Sequence, residues 1–190
     1  MMKKILLFLL SFFLLSCSLS VNPHKKSEIK YFKNNFKSHK FSNEYFTLKV
    51  KFIFNLMDNF EIFDADMRSM NILPIFVEIE KEDKNLKFNF EKWELKDGKG
   101  RKYKIIKLKE VWKRVRKFYK IRFYNRHMTE TFNEKMKNLL IENSNFKILK
   151  GFLLFNVPSK CTPKDFSRFS IKIEGKLKDR KRKWEVSKKR

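Results

Sequence analysis

A chain of 190 residues is long enough to bury one sizeable core and carry a tether, and too short for several domains. With 22 Phe but only 4 Gly and 4 Pro it is neither a low-complexity nor a collagen-like sequence. Its 46 Lys+Arg against 21 Asp+Glu give a formal charge of +25, which favours anionic partners, although the abundance of Lys, Asn, Ile and Phe also fits AT-rich coding that needs no partner.

Met1-Met2-Lys3-Lys4 is a basic start, followed by an apolar run from Ile5 to Leu15 that only Ser11 interrupts. Residues 1–16 have the layout of a secretory signal peptide, and the run is too short to span a bilayer as a stable helix. Leu14-Leu15-Ser16-Cys17 resembles the lipobox of bacterial lipoproteins, in the looser form found in spirochaetes, because Leu15 stands where a smaller side chain is usual. The resemblance implies lipidation of Cys17 and an extracytoplasmic place in the bacterial cell envelope, on the inner or the outer membrane. A plain signal peptide or an uncleaved anchor is the alternative. With Cys17 taken by lipid, Cys161 has no intramolecular partner, which leaves a free buried thiol or half of an intermolecular bridge. His24, His39 and His127 are scattered, no Cys/His spacing fits zinc, and neither a metal nor another cofactor is expected.

Residues 17–43 are polar and basic without a sustained period and read as the lipidated cysteine and a tether, though four aromatics leave room for part of it to pack. Alternation then predicts strands at Phe46–Phe54, at Ile72–Glu80, at Leu86–Phe90 and on through Trp93 and Leu95 after a phase slip that suggests a bulge. Asp97-Gly98-Lys99-Gly100 is a turn, and Arg101–Leu108 resumes as a strand. Leu108, Val111, Trp112, Val115, Phe118 and Tyr119 recur at three and four and predict an amphipathic helix. Thr131-Phe132-Asn133-Glu134 has the form of a capping box opening a helix from Thr131 to Glu142, with Phe132, Met136, Leu139 and Leu140 as its apolar stripe. Two more strands follow, with Leu153, Phe155 and Val157 facing away from Phe152 and Leu154 in one, and Phe169, Ile171 and Ile173 in the other. The expected fold is mainly β: an immunoglobulin-like antiparallel β-sandwich over residues 44–175, with a helical insert at about 108–150 and a basic tail at 176–190.

Leu73-Pro74-Ile75-Phe76-Val77, Leu95-Lys96-Asp97-Gly98-Lys99-Gly100-Arg101-Lys102-Tyr103 and Gly151-Phe152-Leu153-Leu154-Phe155-Asn156-Val157-Pro158 together resemble bacterial secreted immunoglobulin-like, telokin-like domains of unknown function, often carried by lipoproteins. The resemblance covers roughly residues 46–174 and departs at the long insert. It implies a sandwich with an interaction or structural role and supplies no active site.

Two basic clusters are candidate sites. From Lys107 to Arg126 there are nine basic residues and one acid, and on a helix Lys113, Arg116, Lys117 and Lys120, beside Arg114, would form a face suited to sulfates or phosphates. The tail from Lys176 to Arg190 holds nine basic residues and two acids, peaking at Arg180, Lys181, Arg182 and Lys183, and reads as a disordered segment. Either cluster is equally a solvated basic face. A secreted chain argues against nucleic acid and for an anionic glycan, an anionic lipid or an acidic protein. No phosphate loop, nucleophile elbow or paired-histidine motif occurs, and Asp64-Ala65-Asp66 lacks the rest of a calcium loop, so no catalytic residue is assigned. The function expected is a non-enzymatic interaction or envelope-structural role on a lipid anchor, with a polyanion-binding adhesin as the alternative.

Overall fold

Period-two alternation builds two antiparallel sheets, and each buries a face that the other covers. The computed structural model describes residues 38–121, 126–141 and 147–188. The segment expected to be a signal peptide, Cys17, His24 and the expected tether as far as residue 37 lie outside the described residues. The first sheet runs in the order β1 (His39–Ser42), β2 (Phe46–Phe52), β3 (Ile72–Lys81), β7 (Ile148–Asn156). In the second, β8 (Phe169–Leu177) pairs along its whole length with β9 (Arg180–Lys188). Its other edge takes β4 (Lys87–Phe88) and β5 (Glu94–Asp97), and β6 (Lys102–Lys104) pairs with β5.

Leu48, Val50, Ile75 and Val77 of the first sheet and Leu95, Ile171, Ile173 and Val186 of the second fill one core between the sheets. Aromatic rings bridge it edge-on, Phe46 to Phe88 at 5.3 Å and Phe52 to Phe169 at 4.9 Å. This is a β-sandwich. The opposite face of the first sheet presents Ile53, Ile72, Phe152 and Leu154 to a helical layer, which forms a second core. That layer consists of α1 (Leu56–Phe63), α2 (Leu108–Phe118) and α3 (Arg126–Leu139). The split expected along β7 holds: Leu153 and Phe155 face the second sheet, and Phe152 and Leu154 face the helices.

The chain departs from the sequence reading in several places. His39–Ser42, assigned to the tether, is β1, because β2 offers it a ladder that local periodicity does not announce. Helix α1 has no counterpart in the sequence reading. It is only eight residues long, and its apolar pattern is blurred by exposed Leu56, Met57 and Phe60, while Asn55 caps it by accepting from the Met57 amide at 2.9 Å. The phase slip after Phe88 is a 3₁₀ turn at Phe90–Lys92 rather than a bulge. Only Lys102–Lys104 of the strand expected at Arg101–Leu108 forms, and Leu108 already opens α2. Helix α3 is under way at Arg126, so Thr131 and Glu134 sit inside it, and the capping box forms instead at Thr162 and Asp165.

The basic tail is a correction of larger consequence. Leu177 and Arg180 are joined by Lys178 and Asp179 at φ of 47° and 62°, a two-residue hairpin turn with both central residues left-handed. The chain then runs back as β9, with Trp184 and Val186 packed on the core between the sheets. Lysine and arginine along the outermost strand discourage pairing with other chains, a structural use of charge that composition alone does not reveal.

Candidate functional site

Helix α2 is fastened to the sheet from one side and left bare on the other. Val111 and Val115 are buried in the second core. Arg114 reaches the Met70 carbonyl at 3.1 Å, the Asn71 carbonyl at 3.2 Å and Asn156 Oδ1 at 2.9 Å, and pairs with Glu110 at 3.3 Å. The structure therefore uses Arg114 to dock the helix. On the free side Lys109, Lys113 and Lys117 follow one another at intervals of four and are exposed. Among the described residues none of the three is in an ion pair. Like charges four apart on a helix cost a few tenths of a kcal/mol per pair, so the stripe does not serve the helix's own stability.

Lys107, Lys109, Lys113, Arg116 and Lys117 line a shallow cleft of about 630 Å³ together with Trp112, Ile121 and one carboxylate, Glu110, which Arg114 pairs. The structure thus brings together Lys113, Arg116 and Lys117 of the sequence-derived cluster and adds Lys109. Lys120 lies just past the helix at φ 53°, exposed and outside the cleft lining. Arg180, Lys181, Arg182 and Lys183 do not join this site. They belong to β9 in the far sheet, and strand alternation splits them, with Arg180 and Arg182 on the side of Trp184 and Lys181 and Lys183 on the other.

A second cleft, of about 510 Å³, opens between α2, α3 and the end of α1. Phe63, Ala65, Val115 and Leu139 contribute to its apolar wall. Trp112 and Phe132 lie side by side in it with ring centroids 4.8 Å apart. Its rim carries an ion pair between Lys135 and Asp64. Tyr119 is held there as its hydroxyl accepts from the Asp66 amide at 3.1 Å. The indole Nε1 of Trp112 is buried without a hydrogen-bond partner among the described residues. Trp112 and Ile121 line both clefts, so the apolar and the basic concavities adjoin. Sequence reading placed Trp112 and Phe132 on core stripes and missed the cleft, because one wall depends on α1.

The phrase around Asp97 that carries the family resemblance does structural work. Asp97 Oδ1 accepts from the amides of Lys99 and Arg101 at 2.9 and 3.0 Å, while Oδ2 accepts from Arg101 Nε at 2.6 Å and Tyr103 Oη at 2.8 Å. Burial pushes the Asp97 carboxyl upward, but these bonds outweigh it and hold the group below its ordinary value. Burial, with the bonds to Cys161 and Asp97, drives the Tyr103 phenol up. Cys161 is a buried free thiol 3.5 Å from that hydroxyl. On the helix-facing side of β2, burial brings the Lys51 ammonium down to about 8 against the opposing pull of Asp58. Among the described residues no group of three or more His, Cys, Asp or Glu is placed to hold a metal, and no helix is long and apolar enough to cross a membrane.

No family model and no curated protein matches the chain. Among solved structures, a DUF4426 family protein from Pseudomonas aeruginosa PAO1 is similar to it with a TM-score of 0.33 and 8% identity, over 80% of this chain and 92% of that one. A likeness this remote carries no argument about function.

Proposed function

We propose that this is a lipid-anchored, extracytoplasmic lipoprotein of a bacterial envelope, a non-enzymatic interaction module whose working surface is the basic side of α2. The observation that carries the surface is the stripe Lys109, Lys113 and Lys117, exposed, without carboxylate partners among the described residues, and lining one cleft with Arg116. A row of ammonium groups spaced by one helical turn suits a polyanion with regularly spaced sulfates or phosphates, such as a sulfated glycan. The anchor rests on the Leu14-Leu15-Ser16-Cys17 motif. The tether would hold the sandwich off the membrane, with the immunoglobulin-like, telokin-like domain as its folded part. Binding by charge along a stripe needs neither a cofactor nor a catalytic group.

Each half has its own test. Cys17→Ser should abolish incorporation of labelled acyl chains and move the protein out of the detergent phase; unchanged partitioning would end the lipoprotein reading. On immobilised heparin the protein should elute at higher salt than a basic protein of matched charge. Co-elution would leave the charge as bulk composition.

A further inference from the structure

We propose that the apolar cleft between α1, α2 and α3 takes the hydrocarbon chain of a single-chain anionic amphiphile, a free fatty-acid carboxylate, with its head on the basic stripe of α2. This extends the reading of that stripe as an anion-binding surface and shares its lysines. Three observations converge on it. The cleft has the size and largely apolar wall of small-molecule sites, which run to about 300–1,000 Å³. It adjoins, at Trp112 and Ile121, the cleft that Lys109, Lys113 and Lys117 line, so the apolar wall and the basic stripe lie side by side. Trp112, which lines both clefts, also keeps a buried Nε1 donor with no hydrogen-bond partner among the described residues. A neutral apolar ligand would leave the lysines unused, and a polyanion without a chain would leave the apolar wall wet. Only an amphiphile satisfies both.

The chain from Ser18 to Arg190 keeps every described residue, including both cores. Titrating it calorimetrically with octanoate, decanoate and dodecanoate, each below its aggregation threshold, should show affinity rising about fourfold per added methylene. Dodecanol should bind at least tenfold more weakly than dodecanoate, and Lys113→Ser/Lys117→Ser should close that gap. Thr131 is exposed on the cleft wall, so Thr131→Trp should fill the cleft without unfolding α3 and abolish binding. Independently of that variant, brominated dodecanoate should quench indole emission in the wild type and lose most of that quenching in Trp112→Phe. Equal affinity across chain lengths, or quenching unchanged in Trp112→Phe, would overturn occupancy of the cleft. Dodecanol binding as tightly as dodecanoate would overturn the placement of the head. Heparin has no hydrocarbon chain, so its retention alongside a null fatty-acid titration would sink this inference and leave the basic stripe standing, while loss of both would sink the two together.

Discussion

Asp97→Asn is the substitution whose consequence follows most closely from the geometry. The side chain of Asp97 is fully shielded, and its two oxygens divide the work between them. Asparagine keeps an acceptor for the Lys99 and Arg101 amides but turns an amide donor toward Arg101 Nε and the Tyr103 hydroxyl. A hydrogen bond to a charged group contributes about 1.5–3 kcal/mol, and two are lost. The Tyr103 proton can turn toward Cys161 Sγ, and the guanidinium of Arg101 remains beside Asp165 at 3.0 Å, which brings the expected loss to about 2–4 kcal/mol. For a domain of this size that is a fall of roughly 5–15 °C in Tm. The acid side of the stability curve adds a second readout. A carboxyl held below its ordinary value contributes stability that is complete above the unfolded pKa and disappears as pH falls through the folded one. Wild type should therefore lose stability more steeply than Asp97→Asn from about pH 5 downward. A residual slope remains from Asp165, which its bond from Lys99, the Thr162 amide and nearby Arg101 also hold low. Urea denaturation at several pH values measures both effects. A loss below about 0.5 kcal/mol, or identical acid slopes, would refute the assignment of Asp97 as the anchor of this turn.

Two further substitutions probe how the layers are joined. Gly151→Ala would place a Cβ 2.7 Å from the Ile141 amide nitrogen and 2.8 Å from its Cα, backbone that cannot step aside, so a loss of about 2 kcal/mol or more in urea denaturation is expected. A neutral result would contradict the close approach of the α3–β7 connection to the sheet. Arg68 donates to the carbonyls of Val157, Pro158, Ser159 and Cys161 at 2.9 to 3.3 Å, which pins the segment that carries the buried Cys161 thiol. Arg68→Met should cost about 3 kcal/mol and speed labelling of Cys161 by a thiol reagent at least tenfold. Unchanged labelling would mean that burial in the core, rather than Arg68, shields the sulfur.

Long alternating runs were the legible part of this fold. β2, β3, β7 and β8 each put one face into the core between the sheets, and a period of two survives in such strands whatever surrounds them. Short or partner-dependent elements were not legible. β1 and β9 are strands because β2 and β8 offer them ladders, and the left-handed pair Lys178-Asp179 is not the Asn-Gly or Asp-Gly signal that marks such a turn. Helix α1 hid because Leu56, Met57 and Phe60 remain exposed. The basic side of α2 was readable at Lys113, Arg116 and Lys117 from their spacing. That Arg114 turns to the Met70 and Asn71 carbonyls depends on a tertiary contact across more than forty residues, which spacing within a helix cannot report.

The proposal for α2 is that anions recognise its basic stripe and not the net charge of +25. It is tested most directly by the salt dependence of binding to a defined heparin oligosaccharide. Each basic group that neutralises a sulfate should contribute about one unit to the slope of log K against log salt. Lys109→Ser/Lys113→Ser/Lys117→Ser should lower that slope by about three, while Lys84→Ser/Lys87→Ser/Lys164→Ser, an equal loss of charge from exposed sites elsewhere, should leave it nearly unchanged. Equal falls in the two triple variants would contradict the account and assign the binding to overall charge.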